Sequence, residues 1–142
     1  MANKHLIDEQ LWSRLVARIV KDESMELSLA ERIMDQALAF LALCAREPQG
    51  RYSPSEFVDV GWHTFILYTK AYADFCQKVA GRFIHHNPSD VPGVDYRTGN
   101  IARTVEALKG HGFVVDEMLW IGHRVPCDQE TCKSCSNECD GS

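Results

Sequence analysis

The sequence predicts an all-α protein: a small helical bundle of about five helices with an irregular cysteine-rich C-terminal tail. Three observations point there. Apolar residues recur every three or four positions through most of the 142 residues. No segment alternates polar and apolar residues as a half-buried strand would. From Pro126 onward the only residues with anything to bury are cysteines. The boundaries drawn from this are residues 1–125 for a helical domain and 126–142 for the tail.

The first helix is marked by Leu11, Trp12, Leu15, Val16 and Ile19 on one stripe, with Asp8 as its cap. A second starts near Ser28, where Glu31 three residues on completes a capping box, and ends before Pro48-Gln49-Gly50. Leu29, Ile33, Met34, Ala37, Leu38, Leu41 and Cys44 make it apolar on more than one side, which predicts a central position. Ser53-Pro54 opens a third helix, with proline in the first turn where its missing N–H costs nothing. Thr69 caps a fourth, ended by Gly81. The stretch HHNPSDVPGVDYRTGN reads as a loop. A fifth helix begins at Thr98 or Asn100 and closes at Gly110 and Gly112, and Asp116 introduces a last turn, EMLWIG.

Composition narrows the function. A chain of this length is one domain by default, and 45% apolar with 25% charged residues supplies a core that folds without disulfide staples. The formal charge of -5 argues against general binding to nucleic acid or to anionic membranes. No apolar run reaches the ~18 residues that span a bilayer, and the N-terminus lacks a signal peptide's apolar core. The expected location is therefore cytoplasmic. In a reducing compartment, clustered cysteines more often hold metal or do redox work than form structural disulfides.

Two constellations carry chemistry. The first lies between Val58 and Pro88 and contains Asp59, Trp62, His63, Cys76, His85 and His86. Asp59 and His63 are four apart, so a helix presents their oxygen and nitrogen on one face. His86 or His85 would approach from the loop after the fourth helix. Cys76 could join only if the chain bends, because an unbroken helix would put it ~20 Å from His63. Such a mixed donor set suits zinc, with iron or copper as alternatives. Trp62 cannot ligate and packs as an anchor with its indole N–H seeking one partner. The competing reading is purely structural: Asp59 bonds His63, His86 satisfies a helix end, and Cys76 is a small buried hydrophobe.

The pattern VD-x-x-WH, then FC, then G-x-F-I-H-H-x-P, resembles the glycine-rich-domain-containing-protein-like family, most closely over Phe57 to Pro88 and more loosely upstream, about half of the chain in all. The resemblance implies a helical fold and importance for Asp59, Trp62, His63, Cys76 and His86. That family's typical second histidine, two residues after the first, is Phe65 here.

The second constellation is the tail, where Cys127, Cys132, Cys135 and Cys139 follow C-x4-C-x2-C-x3-C. Four thiolates close a tetrahedral zinc site, and binding would order a segment with nothing else to bury. The tail is also a candidate for contact with a protein partner, or for modification by a partner enzyme. The expected function is thus a metal-binding carrier, regulator or adaptor. The alternative is a metal-dependent hydrolase or oxygenase on the Asp-His-His site, with Tyr68 or Tyr72 as proton donor.

Overall fold

A computed structural model describes residues 1–86 and 98–121. Among them are six α-helices: α1 (Glu9–Glu23), α2 (Leu27–Arg46), α3 (Glu56–Leu67), α4 (Thr69–Ala80), α5 (Thr98–Gly110) and α6 (Glu117–Ile121), preceded by a 3-10 turn at Lys4–Leu6. No strand occurs among the described residues. None of the helices is long and apolar enough to cross a membrane. The four tail cysteines lie outside the described residues.

α2 is the central helix, as its multi-sided apolar pattern predicts. Twelve of its residues, from Ala30 to Leu43, are buried, and α1, α3, α4 and α5 all pack against it. Its start differs from the expected capping box. The helix begins at Leu27 with Glu26 as cap, and no side chain bonds the free N–H groups. Ser28 is therefore inside the first turn rather than before it. Asp8 does cap α1, accepting from Leu11 N at 2.7 Å. The cap of α3 is Ser55, not the Ser53-Pro54 step, with its hydroxyl accepting from Val58 N at 3.2 Å and donating to Leu119 O at 2.7 Å. The same hydroxyl thereby ties α3 to α6, a long-range demand that the local sequence does not display.

α6 is only five residues long, too short to persist alone. Gln36, buried on α2, holds it in place. Its Oε1 accepts from Trp120 Nε1 at 2.8 Å and from Asp116 N at 3.1 Å, while its Nε2 donates to Val114 O at 3.0 Å. Arg32, one turn earlier, meets Asp116 through two bonds of 2.7 and 2.9 Å. Asp35 beside them is buried, and accepts from Asn3 N at 2.8 Å, which fixes the N-terminal turn.

α3 lies against α2 at close range. On α3, Val58, Gly61, Trp62 and Phe65 form the buried stripe. A Cβ on Gly61 would sit 2.7 Å from Ala37 Cβ and 3.2 Å from Ile33 O. Neither neighbour can swing away, since one is a methyl on a helix and the other a backbone carbonyl. Gly61→Ala gains up to ~1 kcal/mol of helix propensity, but forcing the two helices apart costs ~1–3 kcal/mol. The net expectation is a destabilised protein, read as a lower denaturant midpoint at unchanged slope.

α3 and α4 are separate helices. Tyr68 joins them at φ −91°, ψ 68°, with its N–H bonded to Phe65 O at 2.9 Å and its carbonyl already accepting from Tyr72 N at 2.8 Å. α4 then ends on Gly81 at φ 69°, a left-handed turn that favours glycine. The break and the turn bring the segment after α4 back alongside α3.

Candidate metal centre

The site is built from one face of α3 and the residues that follow α4. α3 presents Asp59 and His63 one turn apart, with the Asp59 Oδ2 to His63 Nδ1 distance 3.6 Å. His86 comes from 27 residues downstream, and its Nε2 lies 2.6 Å from Asp59 Oδ1. An ionised carboxylate only accepts, so the imidazole N–H is the donor in that bond. The His63 and His86 rings stack with centroids 4.4 Å apart and planes at 27°. One donor atom from each of the three side chains lies within 4.8 Å of the others. The burial is graded: the His86 side chain is 16% exposed, Asp59 29% and His63 61%. The group therefore has a fixed inner member and an outer member facing solvent.

His86 rests on a buried scaffold. Its ring packs on Trp62, centroids 4.3 Å apart. The Trp62 indole finds the single partner its N–H requires, donating to Tyr72 Oη at 2.9 Å. Tyr72 in turn donates to Ile84 O at 2.5 Å. Trp62, Tyr72 and Ile84 are all buried. Sequence reading identified Trp62 as the anchor but not Tyr72 or Ile84. Nothing in their spacing signals that a phenol on α4 meets a backbone carbonyl twelve residues later.

Two of the expected ligands do not join this group. His85 is exposed and turns to Phe83, ring centroids 4.7 Å apart. Exposure alternates along the segment, with Phe83 and His85 outward and Ile84 and His86 turned in. Cys76 is fully buried in the core, on the inner face of α4, and is not among the converging donors. The bend at Tyr68 exists, yet it turns Cys76 inward rather than toward His63. Tyr72 is also ruled out as a proton donor to bound substrate, because its hydroxyl is buried and committed to Ile84. Tyr68 is half-buried and lies under the Arg14 guanidinium, 5.0 Å from ring centre.

The other described cysteine, Cys44, is held as a neutral thiol. Removal from water pushes its pKa up to about 12. Only the thiolate attacks electrophiles. Cys44 for this reason, and Cys76 because its side chain is shut away from reagent in the core, should be alkylated at least ~10-fold more slowly in the native protein than in denaturant, as site-resolved mass spectrometry would show. His111 closes a contact at the far end of α5. In the structure its Nε2 meets Glu47 Oε2 at 2.6 Å, and this contact is the main reason the Glu47 carboxyl is held below its ordinary value.

The comparisons with known proteins bear on family rather than chemistry. No curated protein and no solved structure matches the chain. The likeness to the glycine-rich-domain-containing-protein-like family is overturned, because the family match is to a different group and extends well beyond the motif. Two residues that carried the likeness serve packing here: Trp62 and Cys76 are both core residues. Residues 2–105, which include α1 to α4 and the whole Asp-His-His group, match the family described as UCP032817-like, and the chain belongs to that family.

Proposed function

We propose that this chain binds a transition metal, zinc in preference, through Asp59, His63 and His86, and acts as a metal-dependent carrier, regulator or adaptor. The observation that supports the reading is the convergence of three donor atoms within 4.8 Å from two separate segments. Zinc bonds of ~2.0–2.1 Å in a tetrahedron place neighbouring donors about 3.3 Å apart. The 3.6 Å contact, to Asp59 Oδ2, is close to that figure, and the 2.6 Å contact, to Oδ1, must open as metal replaces the shared proton and one carboxylate oxygen comes to face both imidazoles. His63 is the exposed member and can adjust without disturbing the core. Zinc has no geometric preference of its own, which suits a site with one adaptable ligand. Iron(II) fits the same donors. Three protein ligands leave a further position for water or an exogenous group, so a metal-dependent hydrolase or oxygenase is the rival reading.

The tail would supply a second, chemically distinct site. Its four thiolates would bind zinc independently of the nitrogen and oxygen donors. Cobalt(II) titration of the full-length protein with its four tail cysteines changed to serine isolates the Asp-His-His site, since a thiolate site adds strong visible ligand-field bands of its own beside its near-ultraviolet charge-transfer bands. The expected result is one equivalent of cobalt with ligand-field bands that His86→Ala abolishes and zinc displaces. Full retention of those bands in His86→Ala would sink the assignment.

A further inference from the structure

Resting on that metal-binding reading, we propose that Tyr72 is a positioning residue: its hydroxyl holds the backbone at Ile84 so that His86 is presented to Asp59 and His63. Residues 82–86 belong to no helix or strand. Their path depends on a few side-chain contacts. Arg82 reaches Cys44 O at 2.9 Å from an exposed position. Ile84 buries its side chain. A further fixed point is the Tyr72 hydroxyl on the Ile84 carbonyl, two residues before His86.

The direction of this relay is settled by chemistry. An indole N–H can only donate and a carbonyl can only accept. The phenol between Trp62 and Ile84 must therefore accept from the first and donate to the second. Burial raises the Tyr72 pKa, so the phenol keeps the proton that it donates. The same hydroxyl thus ties together the two supports of His86. One is Trp62, against which the imidazole packs at 49°; the other is Ile84, whose backbone leads to it. Tyr72 also packs edge-on against Phe83, ring centroids 5.3 Å apart. It touches the residue before Ile84 as well as Ile84 itself, and controls the segment without contacting a donor of the site. Groups that orient a ligating histidine typically change metal affinity 10- to 100-fold when removed.

Tyr72→Phe removes the hydroxyl alone and leaves the ring that packs against Phe65 and Phe83. Two readouts on the full-length protein decide the case. The first is the His86 ring proton shift in the metal-free protein, which the ring currents of the tilted Trp62 and the stacked His63 displace from the free-imidazole position. Tyr72→Phe is expected to reverse most of that shift. The second is zinc affinity at the Asp-His-His site, expected to fall at least ~10-fold, with altered cobalt ligand-field bands. Ile19→Val, a core variant in α1, should lose stability without moving either readout. Unchanged His86 shifts and unchanged zinc affinity in Tyr72→Phe would overturn the proposal. If wild type binds no zinc at this site, the metal reading fails, and the His86 shift still decides whether Tyr72 positions it. Should Tyr72→Phe not fold, wild type remains decisive. A slowly exchanging Tyr72 hydroxyl proton with a nuclear Overhauser effect to the Trp62 indole N–H is expected, and its absence would refute the relay.

Discussion

Asp59→Asn is expected to lower zinc affinity at the Asp-His-His site by two orders of magnitude or more while leaving the fold intact. The substitution keeps the shape of the side chain, so asparagine still offers a carbonyl oxygen to His86. What it removes is the negative charge. An amide oxygen is a weak zinc ligand, and two neutral imidazoles alone hold the ion loosely. Asp59 is the element common to both short contacts, 2.6 Å to His86 and 3.6 Å to His63. Its loss therefore removes a ligand and the electrostatic reason for the two histidines to stay together. The side chain is 29% exposed, and a partly solvated pair of this kind contributes at most ~1 kcal/mol to folding. Competition titration against a zinc-sensitive dye measures the affinity, and thermal unfolding measures the stability. Equal zinc affinity in both proteins would remove Asp59 from the site. A large drop in melting temperature with little change in affinity would mark the carboxylate as structural.

Trp120→Ala is expected to produce the greatest loss of stability, ~3–5 kcal/mol, as for other buried tryptophans cut back to alanine. Trp120 is 2% exposed and packs against Phe40 of the central helix, ring centroids 6.2 Å apart. Its indole N–H is also one of the two donors to the buried Gln36 amide oxygen. Truncation leaves a cavity and takes a partner from a buried acceptor. The second effect is the smaller, because Asp116 N still reaches that oxygen at 3.1 Å. Trp120→Phe, which keeps most of the ring, separates the two: it should lose ~1–2 kcal/mol. Urea unfolding followed by circular dichroism supplies the numbers. With total stabilities of ~5–15 kcal/mol for proteins of this kind, the alanine variant approaches the point of unfolding. A loss below ~1 kcal/mol would show that α6 and its anchor contribute little to the cooperative core.

The two predictions draw on features that differ in how far they can be read from the chain alone. The pairing of Asp59 with His63 is legible because a helix fixes the relation of residues four apart, whatever surrounds it. The caps at Asp8 and Gly81 are legible for the same reason: they satisfy N–H and C=O groups only a few residues away. The start of α2 shows where this logic stops. Ser28 and Glu31 form a plausible capping box, yet the helix begins at Leu27, since packing of its long apolar surface overrides a contribution of about 1 kcal/mol from a cap. The role of Gln36 is invisible locally. A glutamine amid leucines and alanines gives no sign that it will gather Trp120, Asp116 and Val114 from more than seventy residues away.

The helical class, the central place of α2, and the presence of a carboxylate and an imidazole on one face of α3 follow from the sequence by itself, because all three depend on the 3.6-residue period. The tertiary structure alone decides that His86 and not His85 turns inward, and that Cys76 enters the core. It also makes a tyrosine on α4 hold the segment that carries His86. Those outcomes require segments separated along the chain to meet, at the break of Tyr68 and the turn of Gly81. The free energy that settles such meetings comes from burial and from satisfying buried polar groups, which no short-range pattern encodes.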